Sequence, residues 1–234
     1  PQSPLYRPEY SSRWSGFDLA AANALLDDIG LSARDSDNLR LLPDGRAMEI
    51  VVHSAGESTE QADLLELIHD TWLQLGIKIH TKPSQREIFR ERLYSGEAVM
   101  SIWTGLDNGL PTANTPPTEL APTNQTQPQW PIWGQHFETA GLTGTAPDMT
   151  EVVELVSLLK TWRNSADHDS REAAWEKMLA IHADQVFSIG TVNAVPQPVV
   201  VNNRLRNVPE EGIYAWAPGA YFGMYRPDTF WLAP

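Results

Sequence analysis

The chain has 234 residues, no cysteine and a net charge of −13. That length can bury a real core, as one large domain or two small ones, while the lack of cysteine excludes a disulfide framework, a thiolate metal site and a Cys nucleophile. The acidic balance argues against nucleic acid or an anionic membrane as partner, and no apolar run reaches the roughly 18 residues of a membrane span.

Residues 1–14 hold Pro1, Pro4 and Pro8. They read as an extended linker rather than a signal peptide or a domain start, so a fragment of a longer protein is expected. Ser15, with Asp18 three residues on, predicts a helix start, followed by the helix-favouring run Ala20 to Leu26 and a stop at Gly30. Pro43-Asp44-Gly45 predicts a turn, because Pro presets φ and Gly accepts a left-handed position.

The stretch from Met48 to Trp103 reads strand, helix, strand, helix, strand: MEIVVHS, STEQADLLELIHDTWLQLG, IKIHTK, SQREIFRERLYSG, EAVMSIW. Ser58 and Gln61 form a capping-box pair, and Leu64, Leu65, Ile68, Trp72 and Leu75 form an apolar stripe that ends at Gly76. Met48 to Thr81 is about 34 residues, the size of a parallel βαβ crossover. Ser84 with Glu87 predicts a second cap, with Ile88, Phe89 and Leu93 inward, Gly96 as stop, and Arg86, Arg90 and Arg92 on the solvated side.

Residues 104–148 carry seven prolines and five glycines, which disfavours regular structure through most of the stretch. The aromatic residues Trp130, Trp133, His136 and Phe137 argue against disorder and for a functional loop. Two helices follow, opened by Asp148 with Glu151 and by Asp169 with Glu172. The first turns Val152, Val156, Leu159 and either Leu155 or Trp162 inward; the second turns Trp175, Met178, Leu179 and Val186 inward. Residues 186–203 read as strand, turn, strand, and the aromatic tail from Asn207 onward reads as extended.

No catalytic motif stands out. The six histidines lack metal-ligand spacing, and no cofactor is expected. Glu57/Glu60 and Glu151/Glu154 are carboxylate pairs, but both open helices, where acids serve the helix dipole. What remains is a binding constellation. Open α/β sheets take ligands at the carboxyl ends of their strands. Trp103 ends the third core strand, and Thr104, Gly105, Leu106, Asp107 and Asn108 follow it. The indole offers an apolar face, Asp107 offers a carboxylate to a ligand ammonium, and Trp130 and Trp133 could add walls. The expected ligand contacts are therefore Trp103, Gly105, Leu106, Asp107, Asn108, Trp130 and Trp133.

The ordered set DGRAMEIVVHS, LGIKIHTKPS, ERLYSGEAVMSIWTG, SREAAWEKMLAIHADQVFSIGTVNAVPQPVVVNNRLRNVP and YRPDTFWL resembles the C-terminal lobe of the ABC-importer solute-binding proteins that include oligopeptide-, dipeptide- and nickel-binding members. The resemblance implies an α/β, periplasmic-binding-protein-like lobe, with a mixed sheet of βαβ units flanked by helices and a long Pro/Trp-rich loop. It implies an extended lead-in over 1–14, the lobe over 15–205 with its loop at 104–148, and a tail over 206–234 that returns toward an N-terminal lobe lying outside this chain. It also implies an exported, periplasmic or extracellular protein that binds a small solute, with a peptide favoured, and passes it to an ABC permease without catalysis, nucleic acid or membrane insertion. Peptide-binding members often hold the peptide amino terminus with an Asp just after this strand; alignment puts Leu106 there and Asp107 one residue on. The competing readings are a secreted glycan hydrolase and a protein-interaction domain using the aromatic loop and tail.

Overall fold

The computed structural model describes residues 3–105, 110–192, 198–212 and 225–234. By internal contacts the chain divides into two units: Ser12–Thr104 with Thr118–Val156, and Pro1–Ser11 with Gly105–Pro117 and Ser157–Pro234.

The first unit carries the α/β core. Helix α2 (Leu19–Asp28) precedes β1 (Glu49–Ser54), α3 (Thr59–Leu73), β2 (Lys78–Pro83), α4 (Arg86–Tyr94) and β3 (Met100–Ser101). The sheet is parallel, in the order β2-β1-β3. Val52 of β1, Leu65 of α3 and Ile79 of β2 form one apolar cluster. Ala55 after β1 packs with Phe89 and Leu93 of α4 in a second. His53 is buried in the central strand, with no hydrogen bond to its Nδ1. Burial, reinforced by the positive charges of Lys82 and Arg92 and opposed by Glu97, lowers its proton affinity below that of a free histidine.

Local signals act largely as expected here. Ser58 Oγ accepts from the Gln61 amide and caps α3, and Gly76, at φ +82°, carries the chain out of it. The Pro43-Asp44-Gly45 turn is closed by hydrogen bonds between Leu42 and Arg46 and from Gly45 to Leu42. Two starts differ. Asp18 rather than Ser15 caps α2, because its Oδ1 is the atom that reaches the Ala21 amide. Ser84 does not cap α4: its own amide donates to the Ser54 carbonyl, which keeps it in line with the strands, and the helix begins after Gln85 without a side-chain cap. With that start Phe89 and Leu93 turn inward, whereas Ile88 is 41% exposed.

The proline-rich stretch is more regular than its composition suggests. It contains a 3₁₀ turn, Thr118–Leu120, and helix α5 (Pro131–Glu138). Pro131 sits in the first turn, where its missing N–H costs no helical bond. Buried Gln127 organises the loop. Its Oε1 accepts from the amides of Thr123 and Asn124 and from Trp130 Nε1, while its Nε2 donates to the carbonyls of Thr118 and Ala121. One amide side chain thus supplies partners that a proline-interrupted backbone cannot supply to itself.

The second unit includes α1 (Pro8–Ser12), a five-residue helix where extended chain was expected; Pro8 starts it with a preset φ. Helix α6 (Thr150–Asn164) passes from the first unit into the second. Both Leu155 and Trp162 are buried on it, rather than one or the other. Helix α7 (His168–Gln185) is capped by Asp167, two residues before Asp169, through the Ser170 amide. Trp162 Nε1 donates to Ala113 and Trp175 Nε1 to Thr115. Val186 does not face inward but ends α7 in a left-handed conformation and is exposed. The described parts of 186–203 contain no strand, and Val199 and Val200 are exposed without a pairing partner. The pairing lies further on, between β4 (Leu205–Arg206) and β5 (Trp231–Leu232). A 3₁₀ turn, Pro227–Thr229, interrupts the expected extended tail.

Candidate functional site

The parallel register brings the carboxyl ends of β1 and β2 side by side, with Ser54 opposite Pro83. Past those residues the chain opens into a shallow depression of about 540 Å³, lined by Ala55, Gly56, Glu57 and Pro83 to Glu87. Gly56 is required in this wall. Its φ is +66°, and a Cβ there would lie 3.3 Å from Pro83 Cβ. The Oγ of Ser84 is buried without a hydrogen-bond partner.

Glu57 and Arg86 each stand three positions beyond the Ser54–Pro83 pair, so the register sets them facing one another. Arg86 Nε donates to Glu57 Oε1 at 2.9 Å and Oε2 at 3.1 Å, and Nη2 donates to Oε2. This grip holds the Glu57 carboxyl below the usual carboxylate range. The same guanidinium lies 5.6 Å from the centroid of the Trp103 ring, within cation–π range. Trp103 is also stacked on Phe89, with centroids 5.3 Å apart and planes 28° from parallel. Arg86 and Phe89 are one helical turn apart on α4, so one helix face supports the indole.

Of the residues expected from the sequence, Trp103 is half-buried at these strand ends, and Gly105 is exposed. Leu106, Asp107 and Asn108 lie outside the described residues. Trp130 is 3% exposed and gives its indole N–H to Gln127, so it supports the loop from within. Trp133 is half-buried on α5. That helix region meets the far end of α4: Gln125 Nε2 donates to the Tyr94 carbonyl, and Gly96 closely approaches Ile132. The nine residues of α4 span roughly 13 Å, which separates this neighbourhood from Arg86 at the helix start. Glu57 and Arg86 were missed by sequence reasoning, having been read as a helix-opening acid and a solvated base. Their equal offset from paired strand ends was the signal that could have found them.

Among the described residues, no three His, Asp or Glu side chains converge to hold a metal ion, and no helix is long and apolar enough to cross a membrane.

Residues 1–127, more than half of the chain, match the family described as bacterial extracellular solute-binding proteins, family 5 Middle. Among solved structures, the oligopeptide-binding protein OppA is similar with a TM-score of 0.73 and 23% identity, over 99% of this chain and 38% of that one. The periplasmic binding protein MelB of Agrobacterium fabrum, solved in complex with stachyose, is similar with a TM-score of 0.68 and 17% identity, over 99% and 34%. The oligopeptide-binding protein of Thermus thermophilus, complexed with a pentapeptide, has a TM-score of 0.57 and 16% identity, over 80% and 31%. At these identities the likeness is one of fold. The chain spans between 31% and 38% of the length of these proteins. A search of curated proteins finds no match.

Proposed function

The chain belongs to the bacterial extracellular solute-binding proteins of family 5, and from that premise we propose that it forms the C-terminal lobe of an exported, two-lobed receptor. The receptor encloses a solute between its lobes and delivers it to an ABC permease without chemical change. The observation that carries this reading is the open depression at the carboxyl ends of β1 and β2, with the Trp103 indole beside it. Such a wall suits contact with a solute whose remaining surface is covered from the other side.

We favour a peptide as the solute, as in the OppA and Thermus thermophilus proteins; the stachyose held by MelB makes an oligosaccharide the alternative to test. Trp103 and the segment that directly follows it, Gly105, Leu106, Asp107 and Asn108, form the proposed ligand contacts, with Asp107 holding the peptide amino group. Trp133 is a further candidate, and Trp130 supports the loop behind. A glycan hydrolase fits poorly, because such an enzyme needs a carboxylic acid that stays protonated. Glu57, which lines the depression together with Glu87, is held below the usual carboxylate range by Arg86 and does not suit that role.

Asp107→Ala in the intact protein should weaken peptide binding at least tenfold by titration calorimetry, with an unchanged melting temperature. A charge-assisted hydrogen bond lost from a binding site is worth that much. Unchanged affinity would remove Asp107 from the site.

A further inference from the structure

Arg86 occupies an unusual position for a base at the mouth of a depression. Its guanidinium is within cation–π distance of Trp103, and Glu57 grips it through two oxygens. The fork-to-fork geometry orients the plane of the guanidinium in an ion pair that stays partly open to solvent. Trp103 is fixed in turn by Phe89. An indole and a carboxylate that one cation can reach together are what a ligand ammonium or guanidinium would seek. In this chain both partners are already engaged by the protein's own cation.

We propose that Arg86 is a specificity-determining residue that bars cationic groups of a solute from Trp103 and leaves the indole to uncharged ones, an apolar side chain or a hydroxyl-bearing face. A second cation brought to the indole would meet a like charge and would find Glu57 already paired. A lysyl or arginyl side chain is therefore rejected at this position by the occupied site, not by shape. The assignment rests on the reading of Trp103 as a ligand contact, but its test needs no natural solute.

Removing Arg86 frees a carboxylate and an indole face together, and this predicts a new cation site. The probe is ethylguanidinium, followed by the indole N–H resonance of Trp103 in the intact protein. The resonance is assigned by its loss in Trp103→Phe. Arg86→Ala should bind ethylguanidinium at least tenfold more tightly than the wild type, and the Glu57→Gln/Arg86→Ala double variant should lose that gain. Arg86→Gln, which keeps most of the side-chain volume, is the companion should the alanine variant fail to fold. Wild-type protein that binds the probe at Trp103 as well as the variants do would overturn the proposal. So would a folded Arg86 variant whose Trp103 resonance does not respond. Either failure leaves the receptor reading to the Asp107 calorimetry, so the two can fail separately.

Discussion

Arg40→Met should destabilise the first unit by about 3 kcal/mol or more, a large share of the stability of an ordinary domain. Arg40 is 1% exposed, yet it carries a full charge. Its Nε donates to the Leu75 carbonyl at 2.8 Å, and Nη1 donates to the Leu31 carbonyl and to Asp27 Oδ1. Nη2 donates to the carbonyl and the side-chain oxygen of Asn23, at 3.2 and 2.7 Å. One side chain thereby ties α2, the segment after it and the end of α3 to the chain that enters β1. This matters because α2 buries none of its residues, and Leu25 and Ile29 beside it are exposed. With only partial burial of Leu19, Ala22 and Leu26, the polar bonds to Arg40 carry much of the attachment of that helix. Methionine fills similar volume but removes all of these bonds at once, those to the Leu31, Leu75 and Asn23 carbonyls among them. Arg34 still reaches Leu75 and Asn23, which compensates only in part. Asp27→Asn keeps an acceptor for Nη1 but removes the counter-ion of a buried cation, so it should cost about 1–2 kcal/mol, less than the loss of Arg40 itself. Denaturant unfolding of the two variants checks both figures. Equal midpoints for them would contradict the role given to the buried carbonyls.

Gly134→Ala should lower the melting temperature by about 4–8 °C, corresponding to roughly 2 kcal/mol at this chain length. Ordinarily the change would help, since alanine gains about 1 kcal/mol over glycine inside a helix. Gly134 is buried on α5, however, and a Cβ there would overlap the backbone carbonyl of Asn124. The obstacle is main chain held in the Gln127 network, so it cannot swing aside as a flexible side chain would. Overpacking of this kind costs about 1–3 kcal/mol or more, enough to reverse the sign. A melting temperature at or above wild type would show that the loop yields.

The parts of this fold that were legible in the sequence are those fixed by neighbours along the chain. Ser58 caps α3 because the Gln61 amide is three residues away, and Gly76 ends the helix because its own φ must be positive. The succession of β1, α3, β2, α4 and β3 follows from such punctuation. What escaped were partnerships across long separations. Nothing near Arg40 signals that its guanidinium will meet Asn23, Leu31 and Leu75, and nothing near Gln127 signals a hub. Ile88 was placed inward by a start at Ser84, but Ser84 is held to Ser54 by a bond between strands. The site divides in the same way. Trp103 was found by its place after a strand, whereas Glu57 and Arg86 are 29 positions apart and required the register.

What the intact protein holds separates a receptor from an enzyme. Native mass spectrometry of the protein purified from its own cells, followed by denaturation and identification of the released small molecule, tests this directly. A receptor of this kind should yield one solute per chain, recovered chemically unaltered and depleted from Trp103→Ala. A solute recovered cleaved, or retained in full by Trp103→Ala, would contradict a receptor that binds at the strand ends.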